Sequence, residues 1–192
     1  MAEGLKGILV GGTANEVYVR VIGRGTFQNS QPLRRFALDK VDQGCRSFVV
    51  DLGGCDSMDS TFLGVLAGIG LRLQQILDHG KIQIVNLSAR NLELLQTLGL
   101  DRLFSVELTA AGVCEAPGAA APHLMKLPES DLAALAKPLN KMETARLMLA
   151  AHEDLIRADQ RNAPKFQDVN RLLREQVKSA DSAPNESKKN EG

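Results

Sequence analysis

The sequence predicts an α/β fold, a mixed β-sheet with helices packed on it, followed by a C-terminal helical extension. Three observations lead there. Runs rich in β-branched and other apolar residues recur at Glu16–Gly23, Arg46–Leu52 and Lys81–Leu87. Helical stretches separate them, and strands separated by helices need crossovers, hence parallel neighbours with helices lying on the sheet. After Val106 the chain turns rich in Ala, Gly and Pro, and two amphipathic stretches then follow with no strand between them.

Glu16–Gly23 alternates Val17, Val19 and Val21 against Tyr18, Arg20 and Ile22, the periodicity of a strand. Lys6–Val10 is a shorter strand, and Gly11, Gly12 and Asn15 favour a hairpin turn between the two. Ser30–Gln43 reads as a helix, with Ser30 as N-cap, Pro32 in the first turn, and Leu33, Phe36, Ala37 and Val41 at helical spacing. Gly44 ends it. Arg46–Leu52 is the continuous apolar run of a strand buried on both faces, and Gly53–Asp56 is expected to turn.

The next helix is expected to start near Asp59–Ser60 and run to about Asp78. Its interior, FLGVLAGIGLRLQQIL, is apolar almost all round until Arg72, which implies a central, buried helix. Gly64, Gly68 and Gly70 each weaken helix propensity by about 1 kcal/mol. Close packing against the sheet is the purpose expected of them. Gly80 stops this helix and Lys81–Leu87 alternates as a strand. Ser88 caps a helix carrying Leu92, Leu95 and Leu98, Gly99 ends it, and Leu103–Val106 is a last short strand.

The expected organisation is a domain over 1–108, a linker over 109–128, a helical extension over 129–180 and a disordered tail over 181–192. Ser130–Lys137 is a short helix before Pro138. Asn140 with Glu143 has the form of a capping box, opening a helix that reaches about Arg161. Pro164 opens another, from Lys165 to about Ala180, with Phe166, Val169, Leu173 and Val177 on one stripe. The pair reads as an αα-hairpin packed on the domain, with homodimerisation through it as the alternative.

Composition narrows the function. Hydrophobic residues make up 44% of the chain and aromatics only 4%, with no Trp and the single Tyr18, so the core is aliphatic. Formal net charge is zero, with 11 basic and 11 acidic residues up to Leu108 and 12 of each beyond it. Neither part carries the charge excess of a nucleic-acid or membrane-surface binder. Cys45, Cys55 and Cys114 have no CxxC spacing, which argues for a reducing compartment and against a disulfide framework or a zinc site. His79, His123 and His152 are isolated and read as surface or helix-face residues, so no metal is expected. The N-terminal apolar run is too short for a signal peptide, and no stretch approaches the ~20 apolar residues of a membrane span. A cytoplasmic protein without cofactor is expected. No GxSxG elbow, Walker loop or HExxH is present, which argues against an enzyme.

Two segments resemble the STAS domain of bacterial anti-sigma-factor antagonists. Val49–Ala67, VVDLGGCDSMDSTFLGVLA, is similar to the family's buried strand, turn, and Asp–Ser–Ser/Thr opening a helix. Ile84–Phe104, IVNLSARNLELLQTLGLDRLF, is similar to its strand, Ser-capped helix and Gly–Leu–x–x–Leu–Phe ending. The resemblance covers residues ~5–108 and implies a STAS-like fold.

It further implies a phosphorylation-controlled protein-binding switch. In the family, the serine after the aspartate is phosphorylated by a partner kinase that is also an anti-sigma factor. The matching residue is Ser60, between Asp59 and Thr61, with Thr61 as second candidate acceptor. The implied partners are an anti-sigma factor/serine kinase and a serine phosphatase. The implied contact residues are Thr26, Asp59, Ser60, Thr61 and Phe62. Phe62 stands where the family usually has Gly, and is expected either to reshape the contact surface or to turn inward. Thr26, in Gly23–Arg24–Gly25–Thr26, stands at a position usually acidic. A bare helix cap at Asp59 or Ser60 is the structural alternative. The functional alternative is a STAS accessory or ligand-binding subunit of another system, such as transport, that phosphate does not regulate.

Overall fold

The structure is a computed structural model that describes residues 6–13, 15–76, 80–107, 125–126 and 139–181. Strands β1 (Gly7–Gly12) and β2 (Glu16–Gly25) form the expected hairpin, pairing Gly7 with Ile22 through to Gly12 with Val17. Thr13 closes the turn, its N–H donating to the Glu16 carbonyl at 2.8 Å. Gly12 has φ +140°, and a Cβ there would overlap the Glu16 carbonyl oxygen. The turn therefore requires glycine.

Helix α1 (Phe27–Asp42) starts earlier than the sequence suggested, with Thr26 rather than Ser30 as N-cap. Ser30 lies inside the helix, fully buried, its hydroxyl donating back to the Thr26 carbonyl at 2.7 Å. Strand β3 (Ser47–Met58) runs straight through Gly53 and Gly54, where a turn was expected. Its parallel register with β2 slips between Arg20 and Ile22 and again between Gly23 and Arg24. These irregularities let both strands continue to the paired ends Gly25 and Met58.

Helix α2 (Ser60–Gln74), β4 (Lys81–Val85), α3 (Ala89–Thr97), a 3-10 turn (Leu100–Arg102) and β5 (Ser105–Val106) follow. Ser88 caps α3, accepting from the Asn91 N–H at 3.2 Å, and Gly99 takes φ +68° just past its end. The sheet is mixed, in the order β5-β4-β3-β2-β1-β6, where β6 is Met125–Lys126. Its central pairs are parallel and both β1 pairings antiparallel.

The C-terminal extension is a helical pair, α4 (Lys141–Ala158) and α5 (Ala163–Asp181). The capping box of Asn140 and Glu143 is formed, the two side-chain bonds being 2.8 and 2.9 Å. Helix α4 ends short of the expected Arg161, and α5 continues one residue into the expected tail. The expected helix Ser130–Lys137, the linker apart from β6, and the tail beyond Asp181 lie outside the described residues, as do His79, Cys114 and His123.

Helix α4 packs on α2, and this corrects the reading of the glycines. A Cβ on Gly64 would overlap the Ala151 carbonyl oxygen, and one on Gly68 would overlap the Asp154 carboxylate. Gly70 instead makes room for Leu103 and Phe104. Gly64 and Gly68 thus serve the α2–α4 crossing, not the sheet. Leu147, Ala151 and Leu155 belong to the same buried cluster as Val19, Val50, Leu66 and Ile84. Helix α2 is apolar almost all round because it has the sheet on one side and α4 on another.

The other face of the sheet carries a small buried group of Tyr18, Val49 and Val85. Beside it the carboxylate of Asp51, 3% exposed, accepts from Tyr18 Oη at 2.7 Å, Arg20 Nε at 2.7 Å, Asn86 Nδ2 at 2.9 Å and the Gly53 N–H at 2.9 Å. Burial alone would raise its pKa, but these bonds outweigh burial and hold it below the ordinary carboxylate value. Four donors engage both oxygens, so this cluster is a strut between β2, β3 and the end of β4.

Candidate functional site

The site grows from the paired ends of β2 and β3. The Asp59 N–H donates to the Gly25 carbonyl at 2.9 Å, which sets the starts of α1 and α2 side by side. Asp59 then bonds both helices. Its Oδ1 accepts from the Phe62 N–H at 2.8 Å, capping α2, and its Oδ2 accepts from the Phe27 N–H at 2.8 Å, in the first turn of α1. One carboxylate thus satisfies orphan donors at two helix N-termini, where negative charge is favoured. The Thr26 N–H donates to Asn29 Oδ1 at 2.8 Å, and Asn29 Nδ2 reaches the Arg24 carbonyl at 2.8 Å. Thr26 therefore opens α1 beside the site.

Ser60 is the first residue of α2 and is half-buried. Thr61 is 1% exposed and Phe62 fully buried. Phe62, named above among the contact residues, is instead packed inward against Gly25, where a Cβ would stand 2.6 Å from the Phe62 ring. A bulky residue at 62 fits because residue 25 has no side chain. Thr26, Asp59 and Ser60 come together, while Thr61 and Phe62 point to the core. Phe27, 38% exposed, adds an apolar side chain at the rim that the sequence reading did not single out.

The sequence reading also missed a contact from the far end of the chain. Ser60 Oγ lies 3.0 Å from His152 Nε2, and His152 Nδ1 lies 3.1 Å from Asn170 Oδ1. His152 is on α4 and Asn170 on α5. Far from being a surface residue, His152 is 3% exposed, and Asn170 is 1% exposed. Phe166 stacks on the imidazole with centroids 4.6 Å apart. Burial pushes the pKa of His152 below the ordinary histidine value, against the opposing pull of the Asn170 bond and the Asp59 charge. Burial thus disfavours the charged form of the ring. The signal in the sequence was weak but present. His152 precedes Leu155 by one helical turn, and Asn170 sits between Phe166 and Leu173, so both fall on apolar stripes.

Among the described residues, Cys45 and Cys55 are free and buried, and no group of three or more His, Cys, Asp or Glu is placed to hold a metal ion. No described helix is long and apolar enough to cross a membrane.

The family model described as Mlab, STAS domain matches residues 8–109. The chain belongs to the STAS-domain family. The match takes in Thr26 and Asp59 to Phe62, and ends before α4 and α5, so Ser60 of the STAS domain is touched by a residue from outside it. No curated protein matches the chain. Among solved structures, the anti-sigma factor antagonist SpoIIAA in its unphosphorylated form is 20% identical, over 46% of this chain and 79% of that one, with a TM-score of 0.41. A Thermotoga maritima chain described as an anti-sigma factor antagonist is 18% identical, over 53% and 86%, with a TM-score of 0.47.

Proposed function

We propose that this STAS protein is a phosphorylation-controlled protein-binding switch of the anti-sigma-factor antagonist kind. Unphosphorylated, the surface around Ser60 docks on an anti-sigma factor that is also a serine kinase. Phosphate on Ser60 ends the docking, and a serine phosphatase restores it, all in the cytoplasm. The observation that supports this reading is the position of Ser60, half-buried at the first residue of α2 beside Asp59. A helix N-terminus accommodates a phosphoryl group through its orphan N–H groups and partial positive charge. The added charge, about −1.5 to −2, opposes docking without requiring the domain to unfold. Thr26 and the exposed Phe27 would complete the contact surface.

The test is mass mapping of phosphate on protein recovered from its host. Phosphate on Ser60 is the expected result, and phosphate only elsewhere contradicts it. Phosphate on Thr61 alone would keep the switch and move its residue, against the burial of Thr61.

A second reading, a STAS accessory or ligand-binding subunit without phosphate control, draws on the engagement of the Ser60 hydroxyl by His152. It requires protein from the host to carry no phosphate at Ser60 under any growth condition.

A further inference from the structure

We infer that His152 is the proton acceptor that turns Ser60 into a nucleophile, and that the C-terminal helical pair supplies this catalytic group in cis, with Asn170 as its positioning residue. The inference rests on the proposed switch only in taking the electrophile to be a phosphoryl group.

Geometry carries it. An acceptor within hydrogen-bond reach of a hydroxyl, itself oriented by a further group, is the arrangement that activates serine nucleophiles. Here Ser60 Oγ is 3.0 Å from His152 Nε2, and His152 Nδ1 is 3.1 Å from Asn170 Oδ1. An amide oxygen facing Nδ1 is bonded only if Nδ1 carries the proton. Nε2 then presents its lone pair to the serine, and the hydroxyl donates to it. Phe166, stacked on the ring, holds its plane. The Asn170 Nδ2 group is buried with no partner among the described residues.

The helix start completes the site. The Phe62 N–H is taken by the Asp59 side chain and the Leu63 N–H by the Asp59 carbonyl. The N–H groups of Ser60 and Thr61 have no partner among the described residues. That of Ser60, on a half-buried residue, can receive charge that develops on phosphorus oxygens, whereas Thr61 is 1% exposed. In the reaction Ser60 Oγ bonds to the γ-phosphorus of a nucleoside triphosphate held by the partner kinase, and the bond to the diphosphate breaks. The hydroxyl proton passes to His152 Nε2. The imidazolium formed lies beside the new phosphate dianion, and later loses its proton to water.

Asp59, before α2, acts on His152 directly. On α4, Glu153 is paired with Arg174 of α5, and Asp154 with Arg157. On α5, Arg171 is paired with Glu175, and Lys165 reaches the Thr97 carbonyl. Helix α2 has no charged residue before Arg72.

A fluorophosphonate probe tests the inference without the kinase, because Oγ–P bond formation and loss of fluoride need only an activated serine. Full-length protein is treated across pH 5–9, and the adduct is located by peptide mapping. The expected result is an adduct on Ser60, absent from Ser60→Ala, whose rate rises with loss of a proton below the ordinary histidine range and is level above it. His152→Gln should slow it on the order of a hundredfold. Asn170→Asp places a carboxylate on Nδ1 and should move the midpoint of the pH profile upward, which a merely structural asparagine would not do. If His152→Gln fails to fold, as judged by its thermal midpoint, the Asn170→Asp profile decides. Labelling of His152→Gln at the wild-type rate, an unmoved midpoint in Asn170→Asp, or no Ser60 adduct in the wild type overturns the inference. No adduct together with phosphate on Ser60 in host protein removes the role of His152 and leaves the switch. An adduct without phosphate in host protein keeps that role and removes the switch.

Discussion

Asp59 and Phe27, 32 residues apart, are joined by a bond of 2.8 Å from the Phe27 N–H to the Asp59 carboxylate, while the other oxygen of that carboxylate caps α2 at Phe62. One side chain therefore ties the start of α1 to the start of α2. Ser60 follows it directly, so this tie sets the position of the Ser60 backbone.

Asp59→Ala removes a capping bond from each of two helices. At about 1 kcal/mol per cap, a loss of about 2 kcal/mol is expected by urea denaturation. Asp59→Asn keeps one acceptor oxygen and should lose roughly half as much. Equal stability of Asp59→Ala and wild type would mean that neither bond persists in solution.

The crossing of α2 and α4 predicts an inversion of the usual glycine rule. In an exposed helix Gly→Ala stabilises by about 1 kcal/mol. At Gly64 the new methyl meets the Ala151 backbone, which cannot swing aside as a side chain does. Overpacking of this kind costs about 1–3 kcal/mol, so Gly64→Ala should lower stability. A stabilised Gly64→Ala would place α4 elsewhere.

These two sites divide what the sequence disclosed from what it withheld. The start of α2 was legible because Asp59 precedes an apolar helical run, and capping and periodicity are local properties. The start of α1 was misplaced because Thr26 and Ser30 are both good caps by residue type. What separates them is Asn29, whose Oδ1 accepts from the Thr26 N–H, together with the Asp59 carboxylate far along the chain. The glycines of α2 signalled a close approach, but their sequence could not say to what. The inward turn of Phe62 depends on Gly25, at the end of a strand 37 residues earlier in the chain. The pairing of Ser60 with His152 spans 92 residues and exists only because α4 crosses α2 at Gly64 and Gly68.

Since Leu147, Ala151 and Leu155 share the core cluster of the sheet, a fragment of residues 1–108 opens the α4-facing side of α2 to water. Burial of each leucine is worth ~1.5–3 kcal/mol. The fragment should melt well below the full chain and bind a hydrophobic dye. A fragment with the thermal midpoint of the full chain would mean that the helical pair is separable from the domain.

Folding stability should also carry the mark of His152. Its pKa in the folded state is depressed by burial, while the unfolded chain has the ordinary value of 6.5. Above that value both states are neutral and the full stability is present. As pH falls below it, the unfolded chain takes up a proton that the folded protein refuses, and stability drops until the folded pKa is reached. His152→Gln should lack this part of the slope. Urea denaturation of both proteins from pH 8 to pH 5 measures the difference, and parallel curves would mean that the imidazole titrates freely in the fold.

The charge on residue 60 is proposed to set partner binding. Ser60→Asp adds a carboxylate at a helix N-terminus, where it is favourable for folding, but presents a partner shaped around a hydroxyl with a desolvated, unpaired charge costing a few kcal/mol. Ser60→Ala removes only the hydroxyl, while Asp59 continues to cap the helix. The decisive measurement is calorimetric affinity of wild type, Ser60→Ala and Ser60→Asp for the partner retained from host extract by unphosphorylated protein, alongside their thermal midpoints. Near wild-type affinity is expected for Ser60→Ala, and a loss of a hundredfold or more for a normally folded Ser60→Asp. Equal affinity of all three proteins would contradict this and leave Ser60 as a structural element of the helix start.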